Sequence, residues 1–341
     1  MGRVLKPQDL LLPKPAGLYC PIGDFYIDPV RPVGRAVITH GHSDHARAGH
    51  GAVAATPETL AIMAVRYGDG FAASQHPLNF GETITEDGVE VSLVPAGHVL
   101  GSAQVVVRHK GLTMVVSGDY KRARDPTCPA FEPVPCDVFI TEATFALPVF
   151  RHPDAAGEVQ KLLASVRQFP DRCHLVGAYA LGKAQRIIAL LREAGWDRPI
   201  YVHGALERLN GLYGDFGIDL GELRNATNGP EKKGDFAGEI VICPPGSLAD
   251  RWTRRFPEPL AAFASGWMRV RARARQRGVE LPLIVSDHAD WDELTATLTE
   301  LRPEEVWITH GREEALARWA DLNGIPARAL ALVGYEDEDA D

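Results

Sequence analysis

Thr39-His40-Gly41-His42-Ser43-Asp44-His45 leaves an apolar run, Arg35–Ile38, that reads as a β-strand. Three imidazoles and one carboxylate therefore stand together on the turn that leaves a strand. Imidazole and carboxylate suit zinc or manganese, and side chains gathered at a strand end can converge on ions without long loops. A chance group of solvated histidines is the competing reading, and the H-x-H-x-D-H spacing disfavours it. Two further candidates stand at strand ends downstream, His98 in Pro95-Ala96-Gly97-His98 and Asp119 in Ser117-Gly118-Asp119. Alone, each reads as a capping histidine or a turn aspartate. Strands placed beside the first cluster precede both, which raises them to ligand candidates.

Around this nucleus the first part of the chain reads as short β-runs: Leu18–Cys20, Phe25–Ile27, Ala36–Thr39, Val89–Val94, Ala103–Arg108, Leu112–Ser117 and Val138–Thr141. Alternation or apolar continuity marks them, and Gly, Pro and Asp punctuate them. Thr56-Pro57 predicts a helix start, which runs to Gly68. The middle changes rhythm. Helical runs at 155–168, 181–194 and 204–213 alternate with the β-runs Leu175–Gly177, Pro199–Val202 and Ile240–Cys243, which predicts a parallel-sheet layer of its own. The final part returns to strand Leu283–Ser286, helix Asp292–Leu301, strand Val306–Thr309 and helix Arg312–Leu322. The expected organisation is one domain inserted into another, with 148–281 inserted between 1–147 and 282–341.

The composition of the 341 residues, 45% hydrophobic and 24% charged, excludes a disordered or fibrous chain. No uninterrupted apolar run approaches the ~18 residues of a membrane-spanning helix. The N-terminal MGRVLKPQDLLLPKP breaks its apolar cluster with prolines and lysines and makes a poor signal peptide. Five cysteines, Cys20, Cys128, Cys136, Cys173 and Cys243, are odd in number and form no CxxC pair. That pattern favours a reducing cytoplasm and excludes zinc ribbons. The net charge of −9 would discourage a polyanionic partner, but much of it sits in the tail Glu336, Asp337, Glu338, Asp339 and Asp341. The stretch Arg251–Arg277 instead holds eight arginines against the single acid Glu258.

His40-x-His42-x-Asp44-His45, then His98, then Asp119 resembles the metallo-β-lactamase superfamily, which implies an αββα sandwich with a two-metal site on its edge. Asp28, in Tyr26-Ile27-Asp28-Pro29, matches that superfamily's early strand-end aspartate, which supports the ligand loop rather than binding metal. Glu142 in Thr141-Glu142-Ala143-Thr144, His288 in Ser286-Asp287-His288-Ala289-Asp290 and His310 in Thr309-His310-Gly311 resemble the three motifs of its β-CASP nuclease branch. The insertion lies where those nucleases carry an extra α/β domain. The block Gly17-Leu18-Tyr19-Cys20 through Asp24-Phe25-Tyr26-Ile27-Asp28-Pro29 to His45, with Trp267 and the arginine-rich run, is most like the bacterial ligase-associated DNA exonucleases. Those are placed with a DNA ligase and a helicase in repair gene clusters, which implies these as partners. One feature leans the other way: eukaryotic DNA-directed relatives usually lack a histidine at the third motif, and His310 is present.

The resemblance implies one metal on His40, His42 and His98, a second on Asp44, His45 and His310, and Asp119 as the bridge. The ions would be zinc or manganese. It gives His288 the part of general acid toward the leaving 3′-oxygen, oriented by Glu142; a purely supporting role is the alternative. The run Val176-Gly177-Ala178-Tyr179-Ala180-Leu181-Gly182-Lys183-Ala184-Gln185 passes from strand to helix, where free N–H groups and Lys183 could meet a phosphate or simply make a turn. Arg269, Arg271, Arg273, Arg275 and Arg277 alternate, which on a strand puts all five on one face as a phosphate track, or as charge protecting an edge. Trp252, Phe256 and Trp267 could stack on bases, although core packing is favoured for each. His50, His76, His109, His152, His174 and His203 fit no metal motif and are assigned surface or structural roles. The expectation is a two-metal DNA exonuclease acting on single-stranded ends, 5′→3′. A β-CASP ribonuclease is the alternative, followed by a small-substrate metallo-hydrolase and a non-catalytic nucleic-acid-binding subunit.

Overall fold

The computed structural model describes residues 5–230 and 232–330. The acidic tail and the first four residues lie outside the described ones, and so does the side chain of His310. The chain folds as two compact units: residues up to Arg151 with those from His288 onward, and His152–Asp287. The seams therefore fall four to six residues beyond those drawn from sequence. Among the described residues no helix is long and apolar enough to cross a membrane.

The first unit is a four-layered α/β sandwich, built by strands whose successive side chains serve different layers. Val105, Val107, Met114, Val116, Val138, Ile140 and Trp307 point one way. They meet Leu18, Phe25, Ile27, Val37 and Ala54 of the opposing sheet in a shared core. Val106, Val115, Phe139, Val306 and Ile308 point the other way, against Leu294, Leu298, Leu316 and Ala320. Those four belong to the helices Trp291–Leu301 and Glu313–Leu322. On the far side, Ala36, Ile38, Val53 and Ala55 pack against Leu60 and Met63 of the helix Pro57–Tyr67. Burial on both faces is why these strands read as near-continuous apolar runs. The helix Pro57–Tyr67 starts where expected: the Thr56 hydroxyl accepts from the Thr59 amide, proline follows, and Gly68 ends it.

The six-stranded sheet of this unit runs in chain order from Leu12–Lys14 to Ala72–Pro77. The seven-stranded one is ordered Ala327–Ala329, Glu305–Gly311, Val138–Ala143, Leu112–Val116, Ala103–His109, Val89–Pro95 and Thr83–Glu86. Sequence reading passed over His50–Ala55, Ala72–Pro77 and Thr83–Glu86. His50-Gly51-Ala52-Val53-Ala54-Ala55 is rich in small residues, and the other two are largely exposed, so none carries a strong β signal.

The second unit is a six-stranded sheet, parallel throughout. Its order is Leu223–Asn225, Ile200–Val202, Ile240–Cys243, His174–Gly177, Leu260–Ala264 and Leu281–Leu283. Helices Ala155–Gln168, Lys183–Glu193 and Glu207–Asp215 accompany it. The expected strand Leu283–Ser286 is displaced, since pairing with Leu260–Ala264 ends at Leu283.

The alternating arginines do not lie on a strand: Gly266–Arg269 is a 3₁₀ turn and Arg271–Gln276 an α-helix. Arginine and alanine are among the strongest helix formers, and only Ala274 of the helix is buried, so propensity decides over the two-residue period. Alternate helical residues are about 200° apart, so one face cannot collect all five. Arg271 and Arg275, both exposed, share a side one turn apart. Arg273 instead stacks 3.9 Å from the ring centre of Trp267, and Arg277 lies 5.2 Å from that of Phe263.

Candidate metal centre

Most candidates of the first unit sit where a strand ends. Asp28 follows Phe25–Ile27, the His40–His45 turn follows Arg35–Val37, His98 follows Val89–Pro95, and Asp119 follows Leu112–Val116. Glu142 lies within Val138–Ala143, where pairing with Glu305–Gly311 changes register between Thr141 and Ala143. Such an irregularity re-aims a side chain. His288 lies just before the helix Trp291–Leu301, whose capping box pairs Asp290 with Glu293.

The centre of the arrangement is Oδ2 of Asp119. It stands 3.4 Å from Nε2 of His40, 3.4 Å from Nε2 of His45, 3.8 Å from Nε2 of His98 and 3.9 Å from Nδ1 of His288. His98 Nε2 is also 3.0 Å from His42 Nδ1. Ligand atoms of His40, His42, His98 and Asp119, all buried, lie within 4.8 Å of one another, a group able to hold a metal ion. Asp119, Glu142 and His288 form a second such group. Asp44 Oδ2 is 3.5 Å from His45 Nε2, so Asp44 and His45 adjoin the same carboxylate. The His310 side chain, expected beside them, lies outside the described ones.

A cation fits this donor set. Nε2 of His40 and Oδ1 of Asp44 are buried with no hydrogen-bond partner in good geometry, an arrangement that costs free energy unless something else satisfies them. Burial, with the neighbouring His45 and His98, holds the His40 pKa well below its usual 6.5 despite Asp119. Burial works against charge on His45 too, but there the carboxylates of Asp119, Asp44 and Asp28 prevail and hold its pKa well above 6.5. The same pocket thus keeps one imidazole neutral and draws positive charge to its neighbour, a field that a divalent ion would satisfy. Imidazole nitrogen with carboxylate oxygen is a zinc or manganese donor set.

The surroundings hold these groups in place. Asp28, at a left-handed φ of 44°, accepts the Thr39 amide on Oδ1 at 2.8 Å, while its Oδ2 lies 2.7 Å from His45 Nδ1. Glu142 Oε1 accepts the Tyr120 amide at 2.9 Å, and Oε2 lies 3.0 Å from His288 Nδ1. Sequence reading missed two further supports. The Ser102 hydroxyl accepts the amides of His98 and Val99, at 3.0 and 3.1 Å. Glu293 Oε1 accepts those of Arg122 and Ala123 just after Asp119. The Asp-x-x-Glu spacing of Asp290 and Glu293 signals a cap in sequence, but the second use of Glu293, on a loop 170 positions away, leaves no local trace.

In the second unit Lys183 is buried and forms an ion pair with Asp287, Nζ to Oδ2 3.6 Å, so it is not open at the surface. Trp267 and Phe256 are buried, as core packing requires. Of the other histidines, His50 accepts the Val33 amide, His109 Nδ1 meets the Gly88 carbonyl, His174 meets Ser165 and His203 caps a 3₁₀ turn.

Residues 279–330 match the family model described as a Zn-dependent metallo-hydrolase RNA specificity domain. A protein of Opitutus terrae called "Probable DNA ligase" is 29% identical over 321 residues, covering 89% of this chain and 30% of its own. "Cleavage and polyadenylation specificity factor 73" of Drosophila melanogaster is 24% identical, covering 71% of this chain and 42% of its own. "Endoribonuclease ysh1" of Emericella nidulans is 33% identical over 143 residues, 38% of this chain and 16% of its own. The chain thus spans less than half the length of each of these relatives. A crystal structure of a protein of unknown function from Enterococcus faecalis shares the fold, with TM-score 0.55 at 16% identity, covering 88% of this chain and 80% of that one. The similarities bear out the resemblance read from the motifs: the chain is similar to a family of Zn-dependent metallo-hydrolases over residues 279–330, and over most of its length to a probable DNA ligase and a cleavage and polyadenylation factor.

Proposed function

We propose that the chain is a metal-dependent DNA exonuclease that hydrolyses phosphodiester bonds at single-stranded ends, in the 5′→3′ direction. The observation that carries the reading is the position of Asp119 Oδ2, within 3.9 Å of four imidazoles of which one, His288, is held by Glu142. A carboxylate so placed can bridge a ligand set on one side and face an acid–base pair on the other.

When bound, divalent ions would supply a water of lowered pKa and Lewis-acid stabilisation of the phosphate oxygens. His40, His42, His98 and Asp119 would hold one of them, and Asp44, His45 and His310 with Asp119 the other. His288 is the proton donor to the leaving oxygen. Glu142 as a carboxylate only accepts, so the proton on His288 Nδ1 points at it and Nε2 is left for the substrate. The Tyr120 amide on the other oxygen keeps Glu142 from turning away. Buried as they are, these groups act where solvent screens them little.

DNA is favoured because the relative called a probable DNA ligase aligns over 89% of this chain, further than the cleavage and polyadenylation factor at 71%. A DNA ligase and a helicase are the partners this reading implies, in DNA repair. Five free cysteines accord with a reducing cytoplasm. Ribonuclease activity is the second reading, favoured by the RNA-specificity model over 279–330 and by His310. Single-stranded DNA and RNA of one sequence, labelled at either end and offered with Mn²⁺, Mg²⁺ or Zn²⁺, separate the two. Stepwise loss of nucleotides from the 5′ end of DNA is expected; preferential cleavage of RNA would install the second reading.

A further inference from the structure

Thr39 precedes the ligand cluster, and it is buried in contact with the segments that carry Asp28, His40, His98 and Asp119. Its Oγ1 donates to Asp28 Oδ2 at 2.6 Å and lies 3.0 Å from His40 Nδ1. Its carbonyl accepts the Ala103 amide at 2.8 Å, at the end of the loop that carries His98. Gly118, beside Asp119, is in close contact: a Cβ there would stand 2.8 Å from Thr39 Cβ and Oγ1.

A proton inventory follows from these contacts. Asp28 as a carboxylate has nothing to donate, so the single hydroxyl proton of Thr39 is committed to it. Toward His40 the hydroxyl can then only accept, which places the ring proton on Nδ1. A neutral imidazole carries one N–H, and Nε2 is left as a lone pair 3.4 Å from Asp119 Oδ2. Two acceptors facing one another are unfavourable unless a cation stands between them. Asp28 fixes His45 the same way, directly through its Nδ1.

We propose that Thr39 is a positioning residue that relays Asp28 to His40, fixing this ligand as its Nδ1–H tautomer with Nε2 free for metal. The inference rests on the metal-centre reading above and adds what selects the donor atom. Thr39→Val keeps the shape and removes the hydroxyl; Thr39→Ser keeps the hydroxyl and removes a methyl. Loss of such an outer partner costs about 10–100-fold in metal affinity.

The test uses the full chain with two readouts. Imidazole ¹⁵N–¹H correlation spectra of the metal-free protein report each ring's tautomer, and competition with a chromophoric chelator reports zinc affinity. Thr39→Val is expected to lose the pure Nδ1–H signature of His40 and to bind zinc about 10–100-fold more weakly, while Thr39→Ser retains both. Asp28→Asn gives a second arm, independent of packing at Thr39. Its amide oxygen must stay on the Thr39 N–H, so its NH₂ replaces Oδ2, donates to Thr39 Oγ1 and turns that hydroxyl toward His40 Nδ1. His40 is then expected to become the Nε2–H tautomer. A Thr39→Val protein, or an Asp28→Asn protein if the first does not fold, whose His40 tautomer and zinc affinity match the wild type overturns the relay. Wild-type protein that binds no zinc would instead overturn the metal centre itself.

Discussion

Glu142 and His288, 146 positions apart in sequence, meet with Oε2 of one 3.0 Å from Nδ1 of the other. Neither is placed by its neighbours in sequence: a register change presents Glu142, and the turn before a capped helix presents His288. Asp119 stands 3.9 Å from the same imidazole nitrogen, so His288 has two possible parts, acid or ligand. As acid it contributes about 10²–10⁴-fold to rate. His288→Ala should therefore lose activity by that factor and keep its full complement of metal, measured by elemental analysis. Metal lost along with activity would make His288 a ligand.

Gly97 precedes His98 with φ of 75°, and a Cβ there would stand 2.2 Å from the Lys121 carbonyl oxygen. Both the conformation and the space demand glycine. Gly97→Ala should cost more than about 1 kcal/mol in a denaturant titration and weaken zinc binding, because the strain falls on the residue that carries His98. A variant as stable as the wild type, with unchanged zinc affinity, would mean that the loop relaxes freely.

The cluster at His40–His45 was legible because it is local: a strand, a turn and four donors in one stretch. His98 and Asp119 were legible as strand-end residues, whereas Asp28 and the αββα layering came with the family resemblance that the motifs carry. Thr39 and Ser102 were not legible, since a hydroxyl declares no partner until the segments come together. The arginines misled because Arg-Ala-Arg-Ala-Arg has a two-residue period by composition, while its propensity is helical and nothing buried enforces a strand. Lys183 stays between a phosphate contact and a structural turn in sequence, which does not reveal that Asp287 lies opposite it.

The helix changes what the arginines should do. Arg271 and Arg275 share an exposed side, whereas Arg273 is engaged with Trp267. Each phosphate contact to a single strand contributes about 0.7 to the slope of log affinity against log salt. Arg271→Ala with Arg275→Ala should flatten the slope by about 1.4 and raise KM for long oligonucleotides, leaving a small phosphodiester unaffected. Arg273→Ala should mainly lower the melting temperature. Equal effects on small and long substrates would place the fault in the metal site instead.

His174 is buried on a strand of the second unit, its Nε2 2.9 Å from the Ser165 hydroxyl. Burial, aided by the Arg172 charge, lowers its pKa from 6.5 to about 4. Between those values the unfolded chain binds the proton and the folded chain does not. Stability is thus full above pH 6.5 and falls as pH drops toward 4, by about 3 kcal/mol at most. Urea titrations across this range should show the decline in the wild type and a shallower one in His174→Gln. Parallel curves would remove His174 as the cause.

The most direct test of the proposed metal-dependent nuclease is cleavage of end-labelled single-stranded DNA by chelator-stripped full chain as zinc or manganese is returned, beside Asp119→Ala. Activity of the wild type should be absent in chelator and rise with metal to a plateau near about two ions per chain. Asp119→Ala, folded by circular dichroism, should stay inactive at every metal concentration. Wild-type cleavage undiminished in chelator, or Asp119→Ala cleaving as the wild type does, would contradict the account.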